Sequence, residues 1–415
     1  MVVGSAKTCA VHQTTNEKSF RQKISVLQHD LLLICQCGMG TRHLERTRAL
    51  NAAKMDRMFA KPFVAALEGH IDAVEVLCRQ PGSLTSLASG SWDGGIILHN
   101  LSTRKQITSI PQAHKGKVSG LCFSPDEGKR LLSCGVDRNI KLWAPLSVFP
   151  GKAAFNSIDH HRTESLFATA SNTVQIWDET KSASISNLTF PTSTETITSV
   201  RFNMSESSVL ASIGTDRTRR IHPQMRSNAL SWSPTFPTTV LLASEDHNLY
   251  TFDIRHLDSP TQVYKAHVAA VMSCDWSPTG LEFVSGGWDR TVRIWQEGKG
   301  RQPEVYHTKR MQSSDDGNVR IWKAKASDKL GVVTARERAA MEYREKLKDR
   351  WRVDSEIDRV ARTRHLPKSV HHTSKLKTAM LEARRVKEER RRKHTRVGES
   401  KPKPEKKKLV IAEQS

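Results

Sequence analysis

The chain has 415 residues, 65 Lys+Arg against 43 Asp+Glu for a formal charge of +22, and 37% apolar residues. That length allows two or three domains, while an apolar share below the ~45–50% of a wholly packed chain places part of the sequence outside any core. Seven cysteines, at 9, 35, 37, 78, 122, 134 and 274, form no CxxC pair and leave an odd count, which excludes a disulfide framework and a structural zinc site and reads as reduced thiols of an intracellular protein.

Residues 1–45 form a divergent N-terminal segment. Its longest apolar run, Leu31 to Cys35, falls far short of the ~20 residues that span a bilayer, and no small-residue cleavage pattern follows. Neither a membrane anchor nor a signal peptide is expected. Residues 46–63 read as a leading helix and linker: Arg46 to Phe59 places Leu50, Met55, Met58 and Phe59 along one side, and Pro62 forbids continuation.

From 64 to 322 one unit recurs: a turn Asp, followed six residues later by an aromatic or His that ends a β-rich run. Asp93 leads to His99, Asp137 to Trp143, Asp216 to His222, Asp246 to Phe252, Asp289 to Trp295 and Asp316 to Trp322; a seventh unit ends at Trp177 but has Ser171 at the turn. Upstream, His70 and His114 each stand 23 residues before their Asp, and His267 stands 22 before Asp289. These residues resemble the WD40 repeat, one four-stranded blade of a β-propeller. The resemblance implies seven blades and a buried hydrogen-bonded network of His, turn Asp, strand Ser/Thr and Trp, formed here by His70 with Asp93, His114 with Asp137 and Trp143, and His267 with Asp289 and Trp295. A buried imidazole and carboxylate are tolerable only when each finds a partner, so these pairs read as structural and not as a catalytic or metal site.

Spacing qualifies the ring. Successive end-marks lie 44, 34, 45, 30, 43 and 27 residues apart, whereas a WD blade takes ~40–45. The fifth and seventh blades are therefore expected to be shortened, with Pro223 where a ladder strand should end and Met311-Gln312-Ser313 running straight into the turn at Asp316. Either these blades have lost strands or the chain is a shortened isoform or an imperfect gene model.

After Trp322 the composition changes: residues 323–415 hold 29 Lys+Arg and 14 Asp+Glu, a net +15, against +7 for everything before. Residues 323–400 read as a basic helical domain. A capping box at Thr334-Ala335-Arg336-Glu337 opens a helix to about Arg350, and a second helix is expected from Ser374 to Thr395. Residues 401–415, beginning Lys401-Pro402-Lys403-Pro404, read as a disordered basic tail. The second helix has two readings. It is a solvated face with Glu382, Glu388 and Glu389 within reach of its cations, or a nuclear address and RNA-binding arm built on Arg384, Arg385, Arg390, Arg391, Arg392 and Lys393. The net +15 cannot be cancelled internally, which favours the second. With only Tyr343 and Trp351 as aromatics, contact should be to phosphate and not to bases.

Segments from about 43 to 400 add a more specific likeness. Ala49 to Ala52 through Ala60-Lys61-Pro62-Phe63, Val305 to Gln312, Lys329-Leu330-Gly331-Val332 and Arg364 to Ser369 resemble, in order, the WD-repeat family that carries a Sof-like C-terminal domain. That resemblance implies a non-catalytic scaffold of the nucleolar small-subunit processome, acting in pre-rRNA processing with processome proteins and pre-rRNA or the small nucleolar RNA particle as partners. It also implies a second role as substrate receptor of a cullin-RING ubiquitin ligase, with a ligase-adaptor box at Asp246, Phe252, Asp253 and Arg255, Phe252 standing where the box has Trp. No phosphate loop, nucleophile elbow, HExxH or dinucleotide fingerprint occurs. Neither a cofactor, a metal, a small-molecule substrate nor a membrane is expected. Asp159-His160-His161 reads as the slot of a blade-opening His, and His371-His372 as a solvated pair.

Overall fold

The computed structural model describes residues 39–125, 130–144, 146–189, 196–206, 208–215, 221–223, 225–298, 304–307, 317–363, 366–396, 399 and 406–413. Helix α1 (Met39–Met58) comes first, then strand β1 (Phe63–Leu67). Three four-stranded antiparallel sheets follow: β2 to β5 (Val74–Arg79, Ser86–Ser91, Ile96–Asn100, Lys105–Ile110), β6 to β9 (Val118–Phe123, Leu131–Gly135, Asn139–Trp143, Ser147–Pro150) and β10 to β13 (Ser157–His160, Leu166–Ala170, Val174–Asp178, Ser184–Leu188). A two-stranded sheet, β14 (Ile197–Phe202) with β15 (Leu210–Gly214), and strand β16 (Ile221–Pro223) precede two more full blades. These are β17 to β20 (Ser227–Trp232, Thr239–Ser244, Asn248–Asp253, Gln262–Lys265) and β21 to β24 (Val271–Trp276, Glu282–Gly287, Thr291–Gln296, Glu304–His307). Strand β25 (Val319–Trp322) ends the region.

The described residues thus form five four-stranded blades, not the seven expected. Each blade is a simple meander, and the first strands β2, β6, β10, β14, β17 and β21 lie side by side in chain order. Apolar side chains on both faces fill the spaces between blades: Leu132, Ile140, Phe149, Phe167 and Trp177 form one core, and Leu241, Leu249, Tyr264, Phe283 and Trp295 another. Burial on both faces explains why these strands read as near-continuous apolar runs. The region's two ends are joined by strand pairing. β1 pairs antiparallel with β25, aligning Leu67 with Val319; Leu67, Val74 and Val319 share a core beside the first blade, and Tyr306 of β24 stacks on Trp322 at 5.6 Å.

The shortening falls differently from the sequence expectation. The fifth blade, β17 to β20, is complete, and it is the fourth that is reduced to β14 and β15. An interval between two end-marks includes the outer strand of the earlier blade, so a deficit between His222 and Phe252 belongs to the fourth blade. His222 itself lies on β16, which ends at Pro223 and pairs with a C-terminal strand, β26 (Val410–Glu413), instead of β15. Residues 401–415 were expected to be disordered; the β-formers Val410 and Ile411 place a strand there. Asp216, Asp316 and Met311 to Ser313 lie outside the described residues, as do Cys9, Cys35, Cys37, the Leu31–Cys35 run and Lys401 to Glu405.

Two compact units divide the chain, α1 through Ala60 with Ser327–Thr363 in one, and Lys61–Ala326 with the chain from Arg364 onward in the other. In the first, α1 begins seven residues earlier than expected and buries Ala49, Ala52 and Ala53, while Met58 and Phe59 are exposed. Small residues at i, i+3 and i+4 let α2 (Ala335–Arg350) and α3 (Ser355–Arg362) come close, with Leu347 and Ile357 completing the core. The capping box of α2 forms in both directions: Glu337 N–H donates to Thr334 Oγ1 at 3.3 Å and Thr334 N–H to Glu337 Oε2 at 3.2 Å. The sequence reading missed α3; Asp354 caps it by accepting from Glu356 N–H at 2.9 Å, and Arg46 of α1 bridges Asp354 and Glu356. In the second unit α4 (Lys368–Lys393) starts six residues before Ser374. Among the described residues no helix is long and apolar enough to cross a membrane.

Candidate protein and nucleic-acid interfaces

The blade networks take shape around a serine. In the second blade His114 Nδ1 lies 3.0 Å from Asp137 Oδ1, His114 Nε2 lies 2.7 Å from Ser133 Oγ, and Trp143 Nε1 donates to the same Oγ at 2.9 Å. The sixth blade repeats this: His267 to Asp289 at 3.0 Å, His267 to Ser285 at 2.8 Å, Trp295 to Ser285 at 2.8 Å. One proton arrangement satisfies each chain. Trp N–H donates to Ser, Ser O–H to Nε2, and Nδ1–H to the carboxylate, which requires neutral imidazole. Burial accordingly holds His114 and His267 below the usual imidazole value against the pull of their carboxylates. Burial would push Asp289 up, but its bonds to His267 and Thr291 prevail and keep it well below the carboxylate range. Glycine makes the room: a Cβ at Gly287 would stand 2.7 Å from His267 Nδ1, and one at Gly135 3.0 Å from His114 Nδ1. The first blade varies the theme, with His99 Nε2 in place of Trp at 2.9 Å from Ser89, His70 at 2.7 Å, and Asp93 4.0 Å from His70.

Asp159, His160 and His161 point to different partners. Asp159 accepts from Phe202 N–H at 2.7 Å and pairs with Arg201 at 3.3 Å; His160 meets Glu179 at 3.0 Å; His161 Nδ1 accepts from Glu164 N–H at 3.0 Å. Asp159 and His160 lie within β10 and His161 just past it, so the expected blade-opening slot is wrong: in the blades that have it, the opening His stands four residues before the first strand, as His114 does before Val118. No group of three potential metal ligands occurs among the described residues. Burial raises the thiols of Cys78, to about 11, and Cys134, to about 12, leaving them poor nucleophiles at neutral pH.

The four residues of the expected ligase-adaptor box are not brought together. Asp253, the last residue of β19, and Arg255 meet at the strand's end, where Arg255 Nε lies 3.4 Å from Asp253 Oδ1 and Nη2 lies 3.2 Å from Thr238 Oγ1, with Arg255 largely exposed. Phe252 is buried and packs with Tyr250. Asp246 sits in the turn that precedes the same strand, whose five steps from Asn248 to Asp253 alone span about 17 Å, and it accepts from Asn248 N–H at 3.0 Å and from the Tyr250 hydroxyl.

Of the basic residues, Arg384, Arg385, Arg390, Arg391 and Lys393 are exposed along α4 and Arg392 is half-buried. Arg392 pairs with Glu388 at 3.1 Å and Lys393 with Glu389 at 3.5 Å. The other four have no ion-pair partner among the described residues. Sequence reasoning missed Lys377, whose Nζ donates to the His267 carbonyl at 3.0 Å. That bond ties the first half of α4 to the sixth blade, and Val370 is buried on the same half of the helix. Burial lowers its ammonium despite nearby Asp246. A Lys on a basic helix carries no signal that distinguishes it from its neighbours.

Comparison with known proteins places this geometry. Residues 324–410 match the Sof1-like domain, and residues 104–144 and 258–296 match the WD domain, G-beta repeat. The chain is 42% identical to "DDB1- and CUL4-associated factor 13" of Xenopus laevis, covering 89% of this chain and 91% of that one. Its human namesake is 41% identical over the same shares, and "Protein SOF1" of Saccharomyces cerevisiae 38% over 84% of each. Among solved structures, the crystal structure of the WD40 β-propeller domain of Doa1 superposes with a TM-score of 0.53 at 19% identity, covering 64% of this chain and 98% of that one, which shows the fold. With relatives of this identity along nearly its whole length, the chain belongs to the family of WD-repeat proteins that carry a Sof1-like domain.

Proposed function

We propose that this protein is a non-catalytic scaffold of the nucleolar small-subunit processome, acting in pre-rRNA processing and small ribosomal subunit biogenesis. The observation that carries this is α4: four arginines with no ion-pair partner among the described residues stand on an exposed helix tethered to a propeller. Such a helix neutralises phosphates and releases counterions. Family membership supports the same reading, as does the resemblance to processome components. The two-stranded sheets β14–β15 and β1–β25 are reduced blades of a seven-position ring, and the His, Ser, Asp and Trp networks hold blades together without chemistry. Nuclear and nucleolar location follows from the basic arm. Replacing Arg384, Arg385, Arg390, Arg391, Arg392 and Lys393 by Gln should release the protein from pre-rRNA particles on density gradients and disperse it from the nucleolus. Full retention in both assays would remove the arm as the docking element.

A second reading rests on half-buried Asp253 and exposed Arg255, paired at the end of β19, and on the name of the Xenopus and human relatives: the protein serves as substrate receptor of a cullin-RING ubiquitin ligase. Arg255→Ala should abolish co-purification of the purified ligase adaptor while leaving the pre-rRNA association intact. Undiminished adaptor binding would exclude this pair as the contact.

A further inference from the structure

Helix α4 has two faces, and only one is accounted for. Val370, Ser374 and Lys377 are the positions of its first half withdrawn from solvent, and they cluster on one side of the helix. Leu376, Ala379, Met380, Ala383 and Val386 follow at i, i+3, i+4, i+7 and i+10, an apolar stripe centred about 150° round the helix from the docked side at 100° per residue. All five are exposed, Leu376 by 52%, Met380 by 60% and Val386 by 43%. Phosphate contacts do not require such a stripe, and exposed apolar surface on a helix forfeits its burial energy. The same projection sets Lys375 at one edge and Arg391 at the other, with Lys387 and Arg390 within the stripe itself, while Glu382, Glu388 and Glu389 fall outside it.

We propose that this stripe docks a helix of a partner protein whose own apolar side is edged by Asp and Glu. The cationic edges call for an acidic partner and make a second copy of α4 a repulsive one. Ala379 and Ala383, one turn apart, allow the close backbone approach of helix–helix packing. A narrow stripe with no aromatic residue suits a helix better than a lipid surface, where a wide face with Trp or Phe is used.

The test uses the full chain assembled in its particle, with a photo-crosslinking residue at Ala383 and a control at Glu388. Crosslinking from 383 and not from 388, mapped to an amphipathic helix with acidic edges, is the expected result. Crosslinks from 383 only to RNA, only to lipid, to a protein segment without that pattern, or to nothing would each overturn the proposal. With the crosslinked partner purified, Met380→Ser and Val386→Ser should each weaken binding by about tenfold, without change in thermal stability or in the salt dependence of RNA binding. The last readout separates this proposal from the phosphate-binding role of α4: either can fail while the other stands.

Discussion

Asp93 and Asp137 occupy the same turn position in neighbouring blades, yet they differ in what they hold. The Asp137 carboxylate is 6% exposed and 3.0 Å from its imidazole, whereas Asp93 is 22% exposed and 4.0 Å away. An orphaned buried group bears its full desolvation penalty, about 1–3 kcal/mol, so Asp137→Ala should lower unfolding free energy by that much in urea titrations. Asp93→Ala should cost less than about 1 kcal/mol, because water already reaches that carboxylate; equal losses would refute the comparison. The imidazoles make a further pH prediction. Burial holds His70, His114 and His267 low, and burial, with His70 beside it as the lesser cause, takes His99 to about 4. Below pH ~6.5 the unfolded chain therefore binds protons that the folded chain refuses, and stability falls on acidification by up to about 1.4 kcal/mol per pH unit for each such group. Asp289, held low, withdraws its own contribution only at far lower pH. The urea midpoint should drop between pH 7 and pH 5; a constant midpoint would mean that these rings bind protons as readily in the fold as in the unfolded chain, and a rising one that the fold holds them charged.

At the scale of elements, strand ends were legible because chemistry marks them: Trp143, Trp177, Phe252 and Trp295 fall at or next to the last residue of a third strand, and Trp322 ends β25. What joins the elements was not legible. In β2, β6, β14, β17 and β21 the register slips after the first residue, a repeated bulge that no residue type announces, since Glu75, Ser119, Thr198, Asn228 and Met272 share no property. The alanine face of α1 escaped notice because burial was read from side-chain size, and α3 because eight residues give too short a period. The adaptor box was read as four neighbours along a sequence, but a strand separates Asp246 from Asp253 by its full length. Docking of α4 was equally hidden, since one lysine among many makes the contact. Lys377→Ala should remove a bond worth about 0.5–1.5 kcal/mol and speed amide exchange over residues 368–380 while leaving the strands of the sixth blade unchanged. Undisturbed exchange there would assign the anchoring to Val370 alone.

For the whole molecule the governing asymmetry is charge: +15 of the formal +22 lies in residues 323–415. Charge placed on an exposed helix acts at the range of a Debye length, ~8–10 Å at physiological salt, so the arm should govern RNA affinity through many weak contacts that position without reading sequence. If about six of its cations touch phosphates, log K against log salt should fall with a slope near −4 for single-stranded RNA. Deleting everything after Trp322 is a poor test, because it also strips α1 of Leu347 and Ile357, which share a core with Ala49. Substitution on α4 avoids this, since Arg390, Arg391 and Lys393 are exposed and Arg392 pairs only along its own helix. Converting all four to Gln should flatten the slope by roughly 3 units, about 0.7 for each lost contact, and weaken unrelated RNA sequences almost equally. A slope that stayed near −4 with unaltered affinity would move the phosphate contacts off this helix, to the propeller or to α2 and α3.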